Sequence, residues 1–194
     1  MHMDAEATAR VRRYQIENKK LTRTACSVAA ICPAIERFEI DSRVLALISK
    51  TAFASYDLVG LKVRTKMATF TVILVPLRLW YRPMWHRRAI EFRDYMRGQG
   101  IRCLVAPASA ATKQPRLRNA QLVAACSGLS VRLTDQVTVV SRALQTGGLT
   151  LQDAASLIDN SDPAGAVLSM VSRRLLCLPA DKPIGPQTVL FALV

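Results

Sequence analysis

The chain has few of the side chains that build zinc sites. Histidine occurs only at positions 2 and 86, and none of the five cysteines forms a CxxC pair. Zinc sites in small domains use closely spaced Cys and His pairs, so we expect no zinc centre. Because the number of thiols is odd, we also expect free, buried cysteines of the kind found in a reducing cytoplasm.

Long apolar segments are also missing. The longest uncharged segments, residues 24–35 and 119–131, are far shorter than the roughly 18 residues that a membrane-spanning helix needs. The first of them resembles the apolar part of a signal peptide, but its long charged leader favours a buried helix or strand. We therefore predict no membrane partner.

Negative charge is scarce beside positive charge. The 194 residues include 27 Lys and Arg but only 14 Asp and Glu, for a formal net charge of +13. The first hundred residues hold 18 of the basic and 9 of the acidic side chains. An excess of this size is usually tolerated because the partner is a polyanion. We predict contact with DNA; the alternative is a basic protein that binds no nucleic acid.

Apolar runs predict three strands in the first two thirds of the chain. Residues 53–63 fit a strand that bends or bulges near Gly60. Residues 70–77 are β-branched and apolar nearly throughout, which is typical of a strand covered on both faces. Residues 101–106 form another buried strand. The last two strands should run parallel, because the helix between them makes a βαβ unit.

That helix is amphipathic. Pro83 is suited to its first turn, and Gly98 or Gly100 would end it. One stripe of apolar side chains recurs at helical spacing: Trp85, Ala89, Phe92 and Met96.

After Gly128 the pattern changes to helices and a short hairpin. Residues 133–145 are helical, Thr150 and Asp153 form a capping box, and Asp162 would cap a helix that begins at Pro163. Two apolar segments near the C-terminus suggest a hairpin, so the outline is that of a winged helix. Its recognition helix would expose four polar side chains: Ser169, Ser172, Arg173 and Arg174.

These patterns divide the chain into three parts. Residues 1–23 form a basic, partly helical N-terminal arm, residues 24–130 an α/β domain, and residues 131–194 the helical domain. The arm is either a solvated tail or a segment that follows a phosphate backbone.

A series of short motifs points to a known family. Asp41 and Val44, Phe53, LKVR at 61–64, ATFTV at 68–72, the helix from Pro83 and PRLRNA at 115–120 occur in the order of its pattern, and GLTLQD at 148–153 and Thr188 extend it. Residues 39–130 thereby resemble the TnsA-type transposon endonucleases, which have the restriction-like PD-(D/E)XK fold. The resemblance implies a restriction-endonuclease-like mixed central sheet with flanking helices and a small C-terminal winged-helix-like domain. It also implies that residues 131–194 bind a protein partner.

The acids of a metal-dependent nuclease are absent from the matching segment. Residues 69–79 contain no Asp or Glu, and phosphodiester hydrolysis of this kind needs carboxylates that converge on Mg²⁺ and a lysine. Thr69 stands where the family has aspartate, and Arg78 is too basic to activate water. We therefore predict a catalytically inactive nuclease-fold protein, without metal or cofactor, that binds DNA or a protein partner in a mobile-element or regulatory context.

Two alternatives stay open. Glu39, Asp57 and Lys62 would rebuild a Mg²⁺ site in an active endonuclease if a bulge near Gly60 brought the last two to one face of the strand; otherwise they are surface ion-pair residues. The third possibility is a protein-interaction module that inhibits a nucleic-acid enzyme.

The candidate DNA contacts are basic side chains and one aromatic residue among arginines. Aromatic rings between arginines can stack on bases while the arginines bind phosphates, although Trp85 also fits a core position. The candidates are Arg10, Arg12, Arg13, Lys19, Lys20, Arg78, Arg82, Trp85, Arg87, Arg88, Arg173 and Arg174.

Overall fold

The computed structural model describes residues 2–48 and 58–193, with side chains from residue 13 onward in the first helix. The elements in chain order are α1 (His2–Ile31), β1 (Arg37–Ile40), α2 (Ser42–Ile48), β2 (Val59–Arg64), β3 (Thr69–Val75), α3 (Leu77–Trp80), α4 (Pro83–Gly98), β4 (Cys103–Pro107), α5 (Ser109–Thr112), α6 (Arg116–Cys126), α7 (Leu133–Thr146), β5 (Leu149–Thr150), α8 (Leu151–Ser156), α9 (Pro163–Ser172), β6 (Leu176–Cys177) and β7 (Val189–Ala192). None of the described helices combines the length and the hydropathy that a bilayer crossing requires.

The chain divides into two units. The first contains Met1–Cys26 and Ala34–Thr112, and the second contains Ser27–Pro33 and Lys113–Val194. This division differs from the three predicted parts, because residues 113–130 fall in the second unit. The expected N-terminal arm is the first part of the 30-residue helix α1.

The first unit is built on a four-stranded mixed sheet in the order β1-β2-β3-β4. The pairs β1–β2 and β2–β3 are antiparallel, whereas β3 and β4 are parallel. Because α4 connects β3 to β4, the predicted βαβ unit is confirmed. The fold is therefore mixed α/β, with helices flanking a mixed sheet.

Alternate residues of β3 face two different apolar clusters. Ile73 and Val75 pack with Phe92 and the rest of a cluster on one face. Leu74 belongs to the cluster on the other face, which also contains Ala25 of α1. This period of two is what a strand with both faces covered requires. The predicted buried strand is confirmed, but it spans Thr69–Val75, and Leu77 begins α3 instead of ending the strand.

The expected bulge near Gly60 is absent. Consecutive residues of β2 pair one to one with β3, from Val59 opposite Leu74 onward. Glycine is needed here for a different reason, since a Cβ at position 60 would lie 3.0 Å from Cγ1 of Val44 in α2. The residue thus allows α2 to approach the sheet closely. Of the predicted strand over residues 53–63, residues 53–57 lie outside the described part of the chain.

The second unit contains α6 to α9 and a three-stranded sheet in the order β5-β7-β6. The N-cap half of the predicted capping box is confirmed, because Oγ1 of Thr150 accepts a hydrogen bond from the Asp153 amide at 3.1 Å. The Asp153 carboxylate accepts from the Thr150 hydroxyl at 2.6 Å. Asp162 caps α9 by accepting from the Gly165 amide at 2.9 Å. The predicted hairpin is also confirmed, since β6 and β7 pair in antiparallel fashion.

Helix α9 lies at the centre of this unit. Every residue from Gly165 to Val171 is buried, because α6 and α8 both pack against the helix. The prediction that Ser169 is exposed was wrong: its side chain is fully buried, and its hydroxyl donates to the Ala166 carbonyl at 2.8 Å. A helix covered in this way cannot insert its length into a DNA groove.

Candidate nucleic-acid interface

Arg78 brings two basic segments of the first unit together. Its guanidinium carbon lies 4.1 Å from the ring centroid of Tyr14 in α1, and its Nη1 lies 3.9 Å from Oε2 of Glu17. Cation–π contacts at this distance are attractive. The basic part of α1 is therefore adjacent to the arginine-rich segment that begins at α3.

The α1 side of this junction presents exposed cations. Arg13, Lys19 and Lys20 are exposed, and no described carboxylate lies within ion-pair distance of them. Arg10 and Arg12 also lie on α1, but their side chains are outside the described part. Unpaired cations of this kind are available to neutralise phosphates.

The other side of the junction consists of α3 and the start of α4. Arg82 is exposed at the N-cap of α4. Arg87 is exposed and pairs with Glu91 at 3.2 Å, and such exposed pairs contribute little and exchange readily. We use the term basic surface for α1 residues 13–20 together with residues 78–88.

Trp85 is less accessible than a base-stacking role would require. Its ring is half-buried and packs against the apolar cluster beneath α4. Arg88 lies over the same ring, with its guanidinium carbon 5.0 Å from the centroid. Tyr81, which is 77% exposed between α3 and α4, presents a freer aromatic ring. The apolar stripe that contains Trp85 had already indicated a core position for this ring, whereas the arginines close to both aromatics did not distinguish them.

A cleft of about 260 Å³ opens on the sheet of the same unit. Arg43, Lys62 and Arg102 contribute its positive charge, and Glu39 and Asp41 its negative charge. Arg43 and Arg102 are exposed, and no described carboxylate pairs with either. Neither residue was among the predicted contacts, because each stands alone in sequence and only the fold brings them to one cleft.

Asp41 has a structural role at the floor of this cleft. It is buried, and its Oδ2 accepts a hydrogen bond of 2.6 Å from the Thr71 hydroxyl. Its Oδ1 accepts from the Val44 amide at 3.1 Å, which caps α2. Both carboxylate oxygens are therefore engaged, and the residue connects the start of α2 to the centre of the sheet.

Of the alternative metal site, only Glu39 and Lys62 lie within the described residues. Lys62 Nζ pairs with Glu39 Oε1 at 3.1 Å across β1 and β2, with both side chains at least half exposed. Asp57 lies outside the described residues. Within residues 13–48 and 58–193, no group of three His, Cys, Asp or Glu side chains is placed to hold a metal ion.

The predicted contacts at the end of α9 are bonded within the second unit. Arg173 is exposed and donates to the Leu129 carbonyl at 2.8 Å. Arg174 is half-buried and donates to the carbonyls of Ala30 and Cys32 at 3.4 and 3.2 Å. These bonds connect α9 to the loop after α6 and to the end of α1.

The five thiols are free and half-buried. Burial raises the pKa of Cys26 and, as the main cause, that of Cys103, Cys126 and Cys177. Asp41 raises the pKa of Cys103 further, against an opposing effect of Arg97. Because thiolate is the reactive form, these four thiols are suited to packing and not to nucleophilic chemistry.

No protein-family model matches the chain, and no curated protein sequence matches it either.

Proposed function

We propose that this chain is a nuclease-shaped protein that binds DNA through its first unit without cleaving it. The observation that carries the proposal is the contact of Arg78 with Tyr14 and Glu17. This contact brings residues 13–20 of α1 next to residues 78–88. The two segments are distant in sequence and rich in Lys and Arg, and together they form the basic surface.

The distribution of charge supports DNA as the partner. The first unit holds 19 basic and 9 acidic side chains, a formal charge of +10, whereas the second holds 8 and 5, or +3. Lys and Arg displace condensed counterions from DNA and bind phosphates without reading sequence. Arg43 and Arg102 in the cleft offer two further phosphate contacts.

The sheet of the first unit is compatible with the restriction-like fold. An antiparallel β1-β2-β3 meander is followed by a crossover helix and a parallel β4. The resemblance to TnsA-type endonucleases implies such a mixed sheet with flanking helices. On this basis we propose that the protein acts in a mobile element or in its regulation.

The use of the available carboxylates supports binding without cleavage. Hydrolysis through Mg²⁺ needs carboxylate oxygens free to converge on the ion. Asp41 is engaged by Thr71 and by the Val44 amide. Thr69, at the position of the family's aspartate, is an exposed neutral residue.

The second unit supports a winged-helix proposal with a protein partner. Helix α7, strand β5, helices α8 and α9 and the hairpin β6–β7 follow one another in the winged-helix order, and β7 lies between the other two strands. Since α9 is buried, residues 131–194 have no exposed recognition helix. Their role is therefore better assigned to protein contact.

Salt-dependent binding to duplex DNA tests the main proposal. We expect the triple variant Arg13/Lys19/Lys20→Ala to bind more weakly and to reduce the slope of log K against log salt by up to about 0.9 for each phosphate that is no longer neutralised. The matched control, Arg118/Arg142/Lys182→Ala, removes three charges from the second unit and should leave the slope nearly unchanged. Equal effects of the two variants on the slope would show that DNA binding depends on the net charge of the chain and not on the basic surface.

The arginines at the start of α4 provide a test of how DNA is read. Arg87/Arg88→Ala should weaken binding to all sequences by a similar factor, because phosphate contacts carry no base information. Fluorescence anisotropy on several unrelated duplexes measures this. A weakening confined to one sequence would instead indicate base contacts by these side chains.

Two outcomes would replace the proposal. Nicking of supercoiled plasmid with Mn²⁺ that Asp57→Ala abolishes would establish an active endonuclease with Glu39, Asp57 and Lys62 in its metal site. Absence of DNA binding at low salt, together with a stable complex with a nucleic-acid enzyme, would establish the inhibitor module.

A further inference from the structure

Helix α7 has an apolar stripe of which its own unit covers only one residue. Leu133 is 73% exposed, Val137 57% and Leu144 53%, whereas Val140 between them is half-buried and packs against the core of the unit. The helix packs against its unit through a different face, where Val139 and Ala143 are buried. One face of α7 therefore completes a core, and a second apolar face meets solvent.

The spacing of the stripe is that of a helix-pairing seam. Leu133, Val137, Val140 and Leu144 are separated by four, three and four residues, which is the alternation of d and a positions in a heptad pattern. Side chains with this spacing lie along one side of a helix. We call these four residues the α7 seam.

The α7 seam is symmetric about its own midpoint, between Thr138 and Val139. When two such helices pair in antiparallel fashion about a two-fold axis, Leu133 meets Leu144 of the second copy and Val137 meets Val140. Such an interface uses the same residues on both copies, as two-fold dimers require.

The surroundings of the seam favour a second copy over a charged partner. Thr134, Gln136 and Ser141 flank it and carry no charge. The nearest charged residues of the helix, Asp135 and Arg142, lie on the opposite side from the seam by helical spacing. Arg132, just before Leu133, is ion-paired with Asp135 and Asp159. The seam residues of α7 therefore bring no like charges together when two copies pair, whereas an acidic partner or DNA would find no cation among them.

We propose that the α7 seam is the interface of a weak, reversible homodimer with antiparallel α7 helices. A helix of 14 residues is about 21 Å long. The seam of one helix of this length offers less contact area than the roughly 800 Å² per partner that standard stable complexes bury. Dissociation is therefore expected in the micromolar range or above. This inference is independent of DNA binding by the first unit.

Sedimentation equilibrium of the full chain over a range of concentrations tests the dimer. The wild type should shift from monomer to dimer between roughly 1 and 300 µM. Leu144→Asp should remain monomeric, because it places a charge in the seam. Gln145→Asp is the matched control, since it adds the same charge one residue away on an exposed position, and it should dimerise like the wild type.

Leu133→Asp provides an independent variant at the other end of the seam. Because Leu133 faces Leu144 of the second copy, the two substitutions should weaken association to a similar degree, and circular dichroism checks that both variants are folded. A wild type that stays monomeric throughout, or a dimer that neither seam variant affects, would overturn the proposal.

Cysteine cross-linking tests the direction of pairing. The double variant Leu133→Cys/Leu144→Cys should form covalent dimers under mild oxidation, because the antiparallel arrangement places these positions opposite each other. Leu133→Cys alone should cross-link no more than the wild type, whose five native thiols give the background, because the two copies of residue 133 are about 16 Å apart along the axis. Efficient dimerisation of the single variant would indicate parallel helices and refute the assigned arrangement.

Discussion

The two units differ in what their surfaces offer a partner. The first unit has most of the net charge of the chain and collects exposed cations along α1, at the start of α4 and in the cleft. The second has a formal charge of only +3, but α7 exposes three large apolar side chains. Charge is suited to a polyanion and apolar surface to a protein, so the two proposed interfaces lie on different units and differ in chemistry.

The two units also build their cores differently. The sheet of the first unit separates two apolar clusters, one beneath α2 and α4 and one beneath α1. The second unit has one cluster with α9 at its centre. In that unit α6 and α8 pack against α9, whereas α7 packs against β5 and β7.

The largest expected effect is the removal of a core side chain from the second unit. Met170 is fully buried in α9, and Met170→Ala should lower the free energy of unfolding by about 2–5 kcal/mol. Met84→Ala, at a position 62% exposed, should change it by less than about 0.5 kcal/mol. Urea unfolding followed by circular dichroism measures both.

The same variant shows whether the two units act separately. At a temperature where Met170→Ala remains folded, its DNA affinity and salt slope should equal those of the wild type, because the basic surface belongs to the first unit. A reduced salt slope would mean that the second unit contributes phosphate contacts.

A smaller loss of stability is expected when the hydroxyl that donates a hydrogen bond to Asp41 is removed. Thr71→Val removes the donor of a 2.6 Å bond to a buried carboxylate and should cost about 1.5–3 kcal/mol of stability. Thr69→Val is the control on the same strand and face, because Thr69 is exposed and valine suits a strand. Chemical denaturation should separate the two variants, and equal stabilities would show that Asp41 does not depend on Thr71.

Features that depend on neighbouring residues were predictable from the sequence. The N-caps at Thr150 and Asp162 and the end of α4 after Gly98 each follow from a few adjacent positions. The parallel pairing of β3 and β4 followed from the length and pattern of the segment that connects them.

Features that depend on distant residues were not predictable. Asp41 and Thr71 are thirty residues apart, and no local pattern marks them as partners. Arg78 and Tyr14 are further apart still, so the sequence indicated two basic segments but not that they adjoin. Ser169 was expected at the surface, but α6 and α8 pack against α9, and the sequence of α9 alone does not show which of its residues they cover.

Removal of a helix cap should have a moderate effect in the second unit. Thr150→Ala removes the acceptor for the Asp153 amide and should lower stability by about 1 kcal/mol. Thr150→Ser keeps the acceptor and should recover most of that stability. Thermal unfolding measures the series, and a serine variant as unstable as the alanine variant would indicate that the methyl group matters more than the cap.

The smallest expected effect is the response of both units to alkaline pH. The pKa of four thiols is raised above the ordinary value of 9.0, so the folded chain keeps thiol protons that the unfolded chain releases. Unfolding is then favoured as the pH rises past 9.0, and the melting temperature under reducing conditions should fall between about pH 8 and pH 10. Cys103→Ala in the first unit and Cys126→Ala in the second should each reduce that fall. If neither does, the alkaline destabilisation belongs to other groups, and burial of these thiols has no measurable effect on stability.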